Sequence, residues 1–199
     1  MLLTEWLAIR YDLWGRYAYS STFTPVLPGG MPLPVVVAWG TIILLSYWVA
    51  LSLFGFICQL GGIAIPATSS TLVRVIISLT ASSVAVGFDL VMDPVMVKIG
   101  HWTWKTTGKW YGIPSKNFVG WFVTCSLAFI MVFSIIDPLH PLRSPYFASS
   151  VQWLFVGICL SLMIDLTLDA IKMRLIGPAI VGALTLAVVG AGVIFLMMF

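Results

Sequence analysis

"DLVMDPVMVKIGHWTWKTTGKWYGIPSKNFVGW", residues 89–121, holds the feature on which the reading of this chain turns. An apolar run ends in two aspartates, Asp89 and Asp93, and Pro94 follows the second at once. A polar loop then carries Trp102, Trp104, Trp110 and Tyr111, and the next apolar run opens with Asn117 and Trp121. The D-x-x-x-D spacing puts both carboxyl groups on one face of a helix, about 6 Å apart along its axis. An aspartate at the centre of a membrane helix costs about 3 kcal/mol or more, so such residues face a bundle interior or a wet cavity.

Composition says that the helix is a membrane helix. The chain has 199 residues, 60% hydrophobic and only 9% charged, with a mean hydropathy of +1.07. A soluble domain of this size needs far more charge to cover its surface. Apolar stretches at about 33–58, 72–97, 118–136, 150–171 and 176–199 each reach the ~20 residues that span ~30 Å of hydrocarbon. The expected fold is therefore an all-α integral membrane protein. It is one transmembrane helical domain over residues 1–199, a bundle of about five helices. Residues 1–12 read as a short interfacial helix with Trp6 and Trp14 as anchors, and "TPVLPGGMPLP" after it is too rich in Pro and Gly for regular helix. The start has Glu5 early and lacks the basic segment and small-residue cleavage site of a signal peptide.

Charge placement gives an orientation. Eight of the ten cationic residues (Arg10, Arg16, Lys98, Lys105, Lys109, Lys116, Lys172 and Arg174) fall on one face if five helices alternate, and only Arg74 and Arg143 fall on the other. The positive-inside bias puts the N-terminus in the cytoplasm and the C-terminus outside, in what reads as a prokaryotic cytoplasmic membrane. Asp89, Asp93, Asp165, Asp169, Glu5 and Asp12 then gather toward the cytoplasmic face, and Asp137 lies on the other. The net charge of +3 is small and implies no nucleic-acid partner. Cys58, Cys125 and Cys159 lack CxxC spacing and read as small packing residues. In the last span Ala183, Ala187 and Ala191 recur every four residues beside Gly182 and Gly190, a pattern that favours close packing.

Burial disfavours the ionised form of a carboxyl group, and a protonated carboxylic acid is what acid catalysis on an unactivated double bond needs. Pro94 cannot donate to the carbonyl of Leu90, which would leave that oxygen available to water or substrate. Alternatively Asp93-Pro94 simply ends the helix at the interface. Asp165 and Asp169 repeat the spacing, with Lys172 and Arg174 within pairing reach. The aromatic set reads either as an interfacial belt or as a π-lined pocket, whose faces stabilise cations and stack on polyenes. Asn117 would hold water or substrate, or cap its helix. His101 and His140 fall on opposite faces without ligand-spaced partners, and no P-loop, GxGxxG, HExxH or GxSxG is present. The two D-x-x-x-D helices also suit Mg²⁺ and a diphosphate, as in a membrane prenyltransferase.

The opening stretch resembles the membrane carotenoid-biosynthesis protein family, which includes carotenoid hydratases acting on γ-carotene, lycopene and bisanhydrobacterioruberin. The likeness rests on Asp89, Asp93-Pro94, Trp102, Trp104, Tyr111-Gly112, Pro114, Asn117-Phe118 and Gly120-Trp121, and near the N-terminus on Glu5, Gly15, Tyr17, Tyr19, Pro32 and Trp39. It covers roughly residues 4–125. Leu13-Trp14-Gly15 departs from the Pro-Phe-Gly usual there, and family members carry further membrane helices ahead of the first motif. The resemblance implies hydration of a terminal isoprenoid C=C without metal or cofactor. Asp93 would be the acid, with Asp89 or Glu5 orienting water. Trp102, Trp104, Tyr111, Asn117, Trp121, Tyr17 and Trp39 would bind the substrate. Implied partners are a carotenoid or other long isoprenoid and membrane lipid, with further membrane subunits or a second copy in a larger assembly. A non-catalytic carotenoid-binding relative or pigment-complex subunit, and the Mg²⁺-dependent prenyl-transfer enzyme, are the alternatives.

The orientation is checked by labelling single cysteines from outside. One placed in 98–117 is expected to stay unreacted and one in 137–148 to react; the reverse would overturn the topology.

Overall fold

The computed structural model describes residues 10–11, 13–15, 17–28, 30–143 and 150–197. The expected interfacial helix, with Trp6 and Glu5, lies outside them, apart from Arg10 and Tyr11. The elements are β1 (Tyr17–Tyr19), α1 (Leu33–Leu60), α2 (Thr71–Ile99), β2 (Trp102–Trp104), α3 (Ser115–Ile135), α4 (His140–Arg143), α5 (Ser150–Lys172) and α6 (Ile176–Met197). Among the described residues, α1, α2, α3 and the stretch Ile176–Ile194 of α6 are long and apolar enough to cross a membrane. The protein is an all-α membrane protein with one small β-ribbon. The Pro/Gly-rich stretch before α1 is non-helical, as expected, and is closed by Leu27 N–H to Met31 O (2.8 Å) and Leu33 N–H to Pro25 O (2.7 Å).

Helix α2 is the centre of the bundle, packing against α1, α3, α5 and α6. Its sequence allows this because small residues face its neighbours: Ser78, Ala81, Ser82 and Ala85 are fully buried. The two serines satisfy their hydroxyls on their own helix, donating to Arg74 O and Ser78 O at 2.8 Å each. Ser70 caps the start, accepting from Val73 N–H at 3.3 Å. Pro94 does not end the helix, contrary to the simpler reading of Asp93-Pro94; α2 continues to Ile99. Gly100 ends it in the left-handed conformation (φ +84°), and His101 N–H reaches back to Met96 O at 3.0 Å. That turn aims the chain into β2.

The far end of the bundle is closed by polar pairs. Arg74 donates to the carbonyls of Phe133 and Ser69. Arg143 pairs with Asp137, which also accepts from Leu139 N–H at 3.0 Å. Burial pushes the Asp137 carboxyl up, but the hydrogen bonds from Arg143 and the Leu139 N–H outweigh it and hold the group well below the usual carboxylate range.

The last helix packs by a different line than expected. Ala183 and Ala187 face outward, whereas Gly182, Thr185, Val189 and Gly192 are buried. A Cβ on Gly182 would lie 2.2 Å from the Thr167 hydroxyl oxygen of α5, so only glycine permits this contact. Gly182→Ala should destabilise the chain by about 1–3 kcal/mol through overpacking. Adding Thr167→Ala should recover most of that loss, a coupling read from unfolding of both single variants and the double variant in detergent.

Candidate functional site

Both aspartates of α2 are buried, Asp89 at 1% exposure and Asp93 at 5%. Asn117, two residues inside α3 and itself buried, answers both. Its Nδ2 donates to Asp89 Oδ2 at 3.1 Å and to Asp93 Oδ2 at 2.9 Å. An amide nitrogen carries two protons, one for each carboxyl group. Asn117 is therefore neither a helix cap nor a free polar group; it ties the acidic pair of one helix to the next.

The carboxyl groups open onto a cavity of about 70 Å³. By the ~10–15 Å³ a water needs on this measure, it has room for several waters or a small branched end group. Met92 and Met96, each three residues beyond an aspartate, complete the α2 wall, and Val35, Ala38 and Trp39 supply the α1 wall. Trp39 stacks on Trp121 of α3, with ring centres 4.0 Å apart and planes 25° apart. The remaining wall is the ribbon. Strands β1 and β2 pair antiparallel, Tyr17 opposite Trp104 and Tyr19 opposite Trp102. Strand side chains alternate, so Y-A-Y and W-T-W turn all four aromatic rings to the cavity side and leave Ala18 and Thr103 exposed. Tyr17 and Trp104 are in ring contact at 4.9 Å. The Trp104 indole N–H is buried with no hydrogen-bond partner among the described residues. Phe23 also lines the cavity and stacks on His101 at 4.5 Å.

Of the residues singled out from sequence, the fold brings Asp89, Asp93, Asn117, Trp102, Trp104, Trp121, Tyr17 and Trp39 to this one cavity. Tyr111 does not line it. Its hydroxyl accepts from Gly177 N–H of α6 at 2.9 Å, which moors the loop to the bundle. Glu5 lies outside the described residues. The Leu90 carbonyl is not open to substrate as expected: Trp110 Nε1–H fills the vacancy left by Pro94, at 3.0 Å. Trp14, expected as an interfacial anchor, makes a packing contact on α3. It lies on Gly120, where a Cβ would come within 2.2 Å of its ring. The second D-x-x-x-D motif stays apart from the cavity. Asp165 is exposed, and Asp169 pairs with Lys172 at 3.2 Å. Among the described residues no three His, Cys, Asp or Glu side chains converge as a metal site. Tyr19, Phe23, Met92 and Met96 were not anticipated as wall residues; the two methionines follow from the i, i+3 periodicity and Tyr19 from the Y-x-Y alternation.

The fold and the cavity define a helical membrane protein with a buried acid pair in an aromatic chamber, and comparison with known proteins gives its family. The model of the carotenoid biosynthesis protein family matches residues 2–189, and the chain belongs to that family. A relative is the bisanhydrobacterioruberin hydratase of Haloarcula japonica, 29% identical over 118 residues. That match covers 59% of this chain and 36% of the relative, so the chain spans well under half of the curated protein's length. No solved structure matches.

Replacing Asn117 by leucine leaves both buried carboxyl groups without their shared donor. Asn117→Leu should lower unfolding stability in detergent by about 1–3 kcal/mol. Lys116→Ala, at the exposed neighbouring position, should stay within about 0.5 kcal/mol of the parent.

Proposed function

We propose that this chain hydrates the terminal C=C bond of an acyclic carotenoid end group. The observation that carries the reading is the buried Asp89–Asn117–Asp93 set at the wall of an aromatic cavity. Two negative charges side by side in such a place are unfavourable, so the pair works with one proton between them, as other carboxyl dyads do. Asp93 gives that proton to C2 of the C1=C2 bond. The positive charge forms at C1, a tertiary centre, facing the rings of Trp102, Trp104 and Tyr17. Water adds its oxygen to C1, and Asp89 takes the proton it loses. The product is a tertiary alcohol, and the pair again holds one proton, which water in the cavity returns to Asp93. Proton transfer of this kind is worth about 10²–10⁴-fold in rate; the fixed aromatic faces meet the larger demand of cation stabilisation. The Trp104 indole N–H is the donor suited to hold the water or alcohol oxygen.

The same reading assigns five membrane spans, α5 being the fourth in chain order, in a cytoplasmic membrane with the cavity end toward the cytoplasm. Both cations of the opposite end support that orientation, because Arg74 and Arg143 are engaged by carbonyls and by Asp137. The prenyl-transfer alternative loses its basis where the second acidic motif stands apart from the first.

In cells making an acyclic carotenoid, the parent chain should yield a more polar pigment with the mass of one added water. Asp93→Asn should abolish that product, since an amide cannot deliver the proton, while pigment still co-purifies. Trp104→Leu should slow formation less, by roughly 30-fold for about 2 kcal/mol of lost π-stabilisation. Pigment bound but never hydrated by the parent would make the chain a binding protein, and loss of activity to a chelator with rescue by Mg²⁺ would refute the acid mechanism.

A further inference from the structure

The cavity at the acid pair takes only an end group, and a carotenoid is far longer. A second depression lies between the same two helices, α1 and α3. It measures about 300 Å³ and is walled by Gly40, Ile43 and Tyr47 on one side and Ala128, Phe129 and Phe133 on the other. Helices α1 and α3 both pack on α2. They meet each other through aromatic pairs, Trp39 with Trp121 and, farther along, Tyr47 with Phe133 at 5.4 Å. The groove starts at Gly40, the residue after Trp39, and extends to Tyr47, about 12 Å at 1.5 Å per residue.

We infer that this groove holds the near stretch of the substrate's conjugated chain, with the Trp39–Trp121 pair as the threshold past which the terminal double bond reaches Asp93. The inference rests on the hydratase reading for the identity of the end group, but the groove stands on its own geometry. Three features favour a polyene over a lipid acyl chain. The groove begins at Gly40, next in the chain to Trp39 of the cavity wall, and runs along the same two helices that carry the stacked Trp39–Trp121 pair. Its deep side is flat and aromatic: Phe129 and Phe133 stack with planes 22° apart and centres 5.6 Å apart. Its far end is rigid, because the Tyr47 hydroxyl donates to Pro138 O at 2.9 Å. Rigid flat walls suit a stiff conjugated chain, which has little rotamer freedom to lose on binding, better than a flexible acyl chain. At the near end, Gly40 has nothing within 4 Å of where a Cβ would stand, so the opening is kept by the lack of a side chain.

The test fills the groove without touching the acid pair. Gly40→Phe places a ring in open space; Val37→Phe places the same ring at an outward, exposed position of α1. The purified full chain in detergent is mixed with lycopene. Binding is read from the circular dichroism induced in the visible band, and hydration from the product mass. Gly40→Phe should weaken the induced band at least tenfold and suppress lycopene hydration to the same degree. It should still hydrate geraniol, which offers the same isopropylidene terminus without the chain, at the parent rate. Val37→Phe should match the parent throughout. Lycopene binding by Gly40→Phe equal to the parent would overturn the groove whatever the catalytic result. No induced band in the parent would assign the groove to lipid alone and overturn it as well. A parent that binds lycopene in a Gly40-sensitive way but hydrates nothing would leave the groove standing and remove the hydratase reading.

Discussion

The energetic constraint on this molecule is the burial of two carboxyl groups in a membrane bundle. Each would cost several kcal/mol if left without polar partners. The solution places a single amide where it reaches both, so α2 and α3 are held in one register by Asn117. A slide of α3 along α2 by one residue, 1.5 Å, would lengthen one of these bonds beyond its useful range. The close packing of α2 through Ser78, Ala81, Ser82 and Ala85 supplies the contact area, but it tolerates sliding better than a two-pronged hydrogen bond does. The polar set therefore specifies the geometry that the apolar set stabilises.

The aromatic wall is built by different means. A ribbon with three residues in each strand has little stability by itself. Here it is anchored at its edges. The left-handed turn at Gly100 delivers the chain into β2, Ser20 N–H bonds His101 O at 2.8 Å, and Trp14 lies against the bare backbone of Gly120. Glycine at 120 lets an indole approach α3 directly, and that contact brings the N-terminal segment over the cavity. The rings thus stand on backbone fixed at several points; on the proposed mechanism, such fixed faces are what a short-lived cation would need around it.

The long helices were legible because length and apolarity alone decide them. The acid pair was legible because four-residue spacing implies one helix face. The ribbon left a trace in Y-x-Y and W-x-W, two matching alternations that mean little until they are paired across eighty-odd residues. The role of Asn117 was out of reach, since an asparagine at a helix start serves equally well as a cap, and only the placement of α2 decides otherwise. In α6 the small residues recur on neighbouring lines, Ala183 and Ala187 on one and Gly182 on the other. Periodicity gives both the same weight, and the position of Thr167 on α5 selects the second. Tyr111 looked like any other aromatic of its loop; its left-handed backbone (φ +50°) and its bond to Gly177 set it apart only in three dimensions.

Pro94 is known in helices as a source of weakness, for it strips one carbonyl of its donor. In this chain that stripped carbonyl, on Leu90, receives the indole of Trp110 from a loop twenty residues downstream. The imperfection works as an address. A regular helix offers an arriving loop no backbone acceptor along its middle, so a loop that must settle at one height on it has nothing to read. One imino acid writes a single legible mark there, one residue beyond the first aspartate. The loop between α2 and α3 is thereby indexed to the acid pair itself, and the helix gives up one internal bond to tell the rest of the protein where that pair stands.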